Sequence, residues 1–337
     1  MDGSTAERLL SLAVEARDAI RRGDDAQAIA RLDEEYAGVP AALDWLLANG
    51  RPDDAFGFAA ALVPFWMATK RVDDGQAWFD RALALPVGSD AARARALHDR
   101  GYLAFFAGDY EVADRRFREA YALALDADDR DVSALALAGS ARVMLNSDPA
   151  GAVRMLREAM ALTVELPDSR GRSSAEHVLG VALQMAGDLE GARDVMTTRL
   201  ERGRADGVQF VVFTESANLS MVERQLGNVE RARDLSLEAL DIVVGNGDEM
   251  AIAWVLNGIA AVEAAMGRSE RAATLLSAAE FLLAQAGGEW PGDERAQFDA
   301  TLAAVTAALG PPALAAAQRS GAGMTRGEAV ALARAAP

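Results

Sequence analysis

Apolar residues recur every three or four positions through most of the chain, and short polar breaks interrupt them at regular intervals. Val112, Ala113, Phe117, Ala120 and Tyr121, for example, fall on one face of a helix. The breaks keep a beat: Gly108-Asp109-Tyr110, Ser147-Asp148-Pro149, Gly187-Asp188-Leu189, Gly227-Asn228-Val229 and Gly267-Arg268-Ser269 start 39, 40, 40 and 40 residues apart. Each interval holds two helices, one running into the break and one starting just after it. Around Gly108 the pattern predicts a first helix over about Ala91 to Ala107 and a second opening at Asp109. Acidic residues gather where second helices start (Asp109 and Glu111, Asp188 and Glu190, Glu230), where they complement the helix dipole. A fixed period of this length signals a stack of one supersecondary unit, not a single globular core.

Small residues repeat in register with the breaks. Seven positions before each stand Gly101, Ser140, Gly180, Ser220 and Ala260; five after stand Ala113, Ala152, Ala192, Ala232 and Ala272. Ala120, Ala159, Ala239 and Ala279 follow later in the second helices, and Phe117, Leu156, Met196 and Leu276 fill the space between. This register resembles the tetratricopeptide repeat over roughly residues 53–285. Its period exceeds the usual length of about 34 residues. Arg199 in a small slot and Ser236 in a large one depart from the pattern, so those two units are expected to pack less regularly. An earlier unit spans Asp53 to Thr69 and Asp73 to Leu85, with Gly75, Phe79 and Ala82 in register; Pro64 is placed to kink its first helix. Before it, Ser4 to Arg22, Asp24 to Tyr36 and Val39 to Ala48 read as helices broken at Gly23, Gly38 and Gly50. After the repeats come helices over about Asp293 to Leu309, Pro312 to Gln318 and Arg326 to Ala335, the last behind a Thr325/Glu328 capping box. The expected fold is all-α: a right-handed superhelix of tetratricopeptide-like helical hairpins at 51–286, an irregular helical cap at 1–50 and a second cap at 287–337.

Composition narrows the function classes. Apolar residues make up 51% and aromatics 6% of the 337 residues, which suits helices packed over small side chains. A net charge of −17 argues against direct nucleic-acid binding, which needs clustered Lys and Arg. Cysteine is absent, which removes disulfides, a thiol nucleophile and thiolate metal sites. With no signal-peptide core and no apolar run of membrane-spanning length, a cytoplasmic location is the default expectation. Prolines such as Pro86, Pro149, Pro167 and Pro291 sit in expected loops.

No catalytic constellation appears, and neither metal nor cofactor is expected. The two histidines, His98 and His177, occupy equivalent slots two repeats apart, roughly 20 Å or more by helix spacing, too far for one metal. Ser173 and Ser174 read as helix-start residues. The acidic run Asp126, Asp128, Asp129 and Asp131 lacks the glycine and distal glutamate of a calcium hand and reads as a solvated loop. The triplet Asn218-Leu219-Ser220 falls in an expected helix and is discounted as a glycosylation site. In tetratricopeptide arrays the first helices line the concave face. Slots three, six and ten before each break give His98, Tyr102, Phe105, Met144, His177, Gln184, Met221, Arg224 and Asn257, with Trp254 one turn earlier. Leu137 and Val181 share these slots but suit the core. Such a mixed face fits a peptide segment, a protein partner or a small-molecule effector.

Three further stretches carry a wider resemblance: Leu32-Asp33-Glu34-Glu35 with Ala41-Ala42-Leu43-Asp44-Trp45; Phe65-Trp66 with Gly75-Gln76-Ala77-Trp78-Phe79-Asp80-Arg81-Ala82-Leu83; and Gly323-Met324-Thr325 with Glu328-Ala329-Val330. They resemble the C-terminal region of actinobacterial multidomain transcriptional regulators, in which a winged-helix or cyclase-type domain and a nucleotide-binding switch precede a tetratricopeptide-like array. The resemblance implies a non-catalytic sensing arm without its switch. No phosphate-binding loop is present, and Lys70 is the only lysine. The alternative is a free-standing adaptor that bridges partners without an effector. An exposed array end is compatible with a homodimer.

Overall fold

The computed structural model describes residues 2–22, 26–166, 168–290 and 292–335. Gly23, Asp24, Pro167 and Pro291, expected at breaks or at a helix start, lie outside the described residues. No strand occurs among the described residues. The chain forms two compact units, Met1–Val195 and Met196–Pro337.

In the first unit α1 (Gly3–Arg22), α2 (Ala26–Glu35), a 3-10 turn (Tyr36–Gly38) and α3 (Val39–Ala48) precede the hairpins. These are α4 (Pro52–Ala68) with α5 (Val72–Leu83), α6 (Asp90–Phe106) with α7 (Tyr110–Asp126), and α8 (Arg130–Met144) with α9 (Pro149–Leu162). α10 (Arg170–Met185) follows, and the division between units falls inside α11 (Leu189–Asp206). The first helices α4, α6, α8 and α10 lie side by side, and α1 packs against α4. α4 runs unbroken through Pro64.

The second unit holds α12 (Gln209–Gln225) with α13 (Val229–Asn246), α14 (Glu249–Ala265) with α15 (Ser269–Gln285), α16 (Gly292–Ala308) with α17 (Pro311–Gly321), and α18 (Arg326–Arg334). α12 neighbours α14, α14 neighbours α16, and α15 neighbours α17. The segment expected as a cap therefore begins with one more hairpin on the same plan. α17 extends to Gly321, beyond the expected Gln318.

The beat has a backbone cause. Gly108, Gly187, Gly227 and Gly267 all have φ between +77° and +86°. In this left-handed conformation, which glycine adopts without strain, the next residue's N–H returns to the last turn: Asp109 N bonds to Ala104 O at 2.9 Å. The aspartate then opens the second helix, its carboxylate accepting from Val112 N. Asp129, Asp148 and Asp248 cap their helices in the same way.

The small–large register also has a steric cause. Phe117 is fully buried, and its ring lies against the bare backbones of Gly101 on α6 and Gly139 on α8. A Cβ at Gly139 would stand 2.6 Å from the ring, and one at Gly101 2.9 Å. The alanines five after each break are all fully buried. The two departures are compensated by polar pairs. Arg199 Nε donates to Glu215 Oε1 of α12 at 2.6 Å, inside the core. The Ser236 hydroxyl lies 2.6 Å from that of Ser220, which donates to Ala232 O at 2.8 Å.

Candidate functional site

Because first helices neighbour one another within each unit, their outward slots form a face. In the first unit that face begins with aromatics. Tyr102 and Phe105 are half-buried, and they continue into Phe106 and Tyr110, which are 48% and 55% exposed. Tyr102 meets Phe106 with ring centroids 4.8 Å apart, and Phe105 meets both Phe106 and Tyr110 at 5.4 Å. From α8, the Arg142 guanidinium stands 5.9 Å from the Tyr102 ring and 5.8 Å from that of Phe105, a cation–π arrangement. Sequence reasoning selected Tyr102 and Phe105 but missed Phe106, Tyr110 and Arg142. The consecutive pair Phe105-Phe106 was the available signal.

Met144, His177 and Gln184 are half-buried on α8 and α10. His98 is placed differently. Only 5% exposed, it lies between Tyr102 and Phe117, with Nδ1 3.0 Å from Asp99 Oδ1. Burial holds its pKa below the usual histidine value, against the opposing pull of Asp99. His98 thus backs the aromatic face from inside.

Asp131, expected in a solvated loop, is a structural residue. It starts α8, accepts from Arg95 of α6 at 2.8 Å and from Gly171 N of α10 at 2.6 Å, and so ties three first helices together. Burial pushes its carboxyl up, but the Gly171 N–H and the Arg95 guanidinium outweigh this and hold it below the usual value.

In the second unit α12 carries Met221 and Arg224, both half-buried. Among the described residues no carboxylate pairs with Arg224, and burial alone pushes its guanidinium down from the ordinary range. Asn257 on α14 is fully buried; its Nδ2 donates to the main-chain oxygen of Glu294 at 3.1 Å and to Glu294 Oε2 at 2.8 Å. Its Oδ1 and the indole N–H of Trp254, one turn earlier, are buried without hydrogen-bond partners among the described residues. Glu294, at the start of α16, thus occupies the place beside Asn257, a contact that leaves no mark in the repeat pattern.

No helix among the described residues is long and apolar enough to cross a membrane. Residues 213–280 match the tetratricopeptide repeat family. No curated protein matches the chain. Among solved structures, the Rap protein complexed with competence and sporulation factor aligns over 93% of this chain and 85% of its own, at 12% identity and a TM-score of 0.57. NprR in complex with its cognate peptide NprX aligns over 90% and 81%, at 13% identity and 0.53. BtubC from P. vanneervenii aligns over 60% and 84%, at 21% identity and 0.50. At such identities the shared property is the fold. Residues 213–280 are a tetratricopeptide-repeat region, and the chain folds as a tetratricopeptide-like helical solenoid.

Proposed function

We propose that this chain is a protein-interaction module that takes a short peptide segment bearing a carboxylate on the first-helix face of its second unit, and that it acts by binding, not by chemistry. Arg224 carries the reading. A half-buried guanidinium has lost hydration, and no internal carboxylate compensates it among the described residues. A ligand carboxylate would make two parallel hydrogen bonds to it. Met221 adds an adaptable apolar contact. In the first unit Tyr102, Phe105, Met144, His177 and Gln184 form a separate candidate contact face, and His98 supports it from behind. Rap and NprR, which share the fold, were solved with competence and sporulation factor and with a cognate peptide, and the latter favours a peptide over a small molecule. The flanking stretches that resemble regulator tails support a role as the sensory arm of a larger transcriptional regulator.

The test is retention of random hexapeptides, made with free or amidated C-termini, on the immobilised chain. Free-acid peptides are expected to be retained preferentially, and Arg224→Gln should weaken retention about tenfold, the loss of one charge-assisted pair. Equal retention of both pools, unaffected by Arg224→Gln, would sink the proposal.

A further inference from the structure

α18 is held on the second unit by contacts that the repeat pattern does not call for. Ala329, Val330 and Ala333 are buried in that unit's core. The helix opens with its own capping box, Thr325 with Glu328. Its other end is closed by the repeats. The last carbonyls of a helix have no partner inside it. Here Arg271 Nη2 of α15 donates to Leu332 O at 2.6 Å and to Ala335 O at 2.7 Å, and Arg233 Nη2 of α13 donates to Ala335 O at 2.9 Å. Arg334 pairs with Asp241 of α13, and Arg326 with Glu249 of α14, each at 2.6 Å and each about half exposed. One nine-residue helix is thereby tied to both the α12–α13 and the α14–α15 hairpins.

Behind the arginines lies Glu263 of α14, fully buried, with Arg233, Arg268 and Arg271 all paired to it. Three guanidinium groups face one carboxylate, so the cluster holds a surplus of positive charge. The carbonyl end of α18, worth about half a negative charge, lies against that surplus. A helix of this length falls below the roughly 12–15 residues that an isolated helix needs in water. α18 therefore stays helical only while seated.

We infer that α18 is a reversible clamp. Seated, it holds the two hairpins at one spacing; released, it unfolds and leaves a cationic seat between α13 and α15 shaped for the carbonyl end of a short helix. The spacing of α12 and α14 follows the clamp. This holds whether or not their face binds a peptide.

The absence of native cysteine makes the test direct. Spin labels are placed on the full chain at Glu230→Cys and Glu270→Cys, both exposed in the first turns of α13 and α15. Val330→Asp is added to unseat α18. The α18 amides should then exchange at least tenfold faster, and the inter-label distance distribution should broaden. Excess synthetic peptide of residues 324–335 should narrow it again. Arg326→Ala with Arg334→Ala, which touches only exposed pairs, should accelerate exchange about tenfold with a smaller broadening, and it decides the matter if Val330→Asp does not fold. Fast α18 exchange with an unchanged distance distribution would overturn the clamp, as would a distribution that the added peptide leaves broad.

Discussion

The imidazole of His98 is buried against Phe117 with Asp99 beside it, and its pKa lies below the ordinary 6.5. Below pH 6.5 the unfolded chain takes up a proton that the folded chain refuses, so stability falls as pH drops from 6.5 toward the folded value. Denaturation midpoints measured from about pH 8 down to about pH 5 should show this slope, and His98→Gln should flatten it. Asp131 is the other informative side chain. Asp131→Asn keeps its size but loses the charge that meets Arg95 and Gly171 N, and should cost about 1–3 kcal/mol in urea unfolding. Sequence reasoning placed His98 on its helix with different surroundings and read Asp131 as part of a solvated loop. His98 occupies a face slot by count but turns inward, and Asp131 sits in an acidic run yet bonds partners 36 and 40 residues away. Local spacing records which turn a residue occupies. It does not record which distant group its polar atoms meet.

Helix ends were the most legible elements, because glycine with positive φ marks the stop of a first helix, and after Gly108 and Gly187 an aspartate caps the next. The unit with Ser147 in place of glycine shows the rule by departing from it. There α8 stops at Met144, three residues before the break, whereas α6 and α10 run to two residues before Gly108 and Gly187. Gly187→Ala should cost about 1 kcal/mol, read as a lowered melting temperature, since alanine pays for the left-handed conformation (φ 86°) that glycine adopts freely. Arg199 was legible as an irregularity, but its remedy was not, because Glu215 lies on the following helix and belongs to no repeat slot. Arg199→Ala should cost about 3 kcal/mol, because Glu215 stays buried without its closest cation. Chemical denaturation of each variant checks both values.

Across the whole molecule, a series of hairpins in which neighbours pack on neighbours gives stability that is additive along the chain. Phe117→Ala removes a fully buried ring and should cost about 3–5 kcal/mol locally. Amide exchange should accelerate in α6, α7 and α8 and stay unchanged in α14 and α15; acceleration everywhere would show one cooperative block instead. The fold class and the succession of helical hairpins were readable from the period. The Glu294 contact with Asn257 and the seat of α18 were not, because each joins a repeat residue to a segment outside the regular beat. The ring of Phe117 carries a consequence for engineering. It comes from one repeat, yet Gly139, which makes room for it, belongs to the next. A single repeat transplanted into another array would bring its plug and leave part of the matching hole behind. Grafts that carry α6, α7 and α8 together, so that the plug travels with both glycines of its hole, should therefore fold where cuts at the repeat boundary fail.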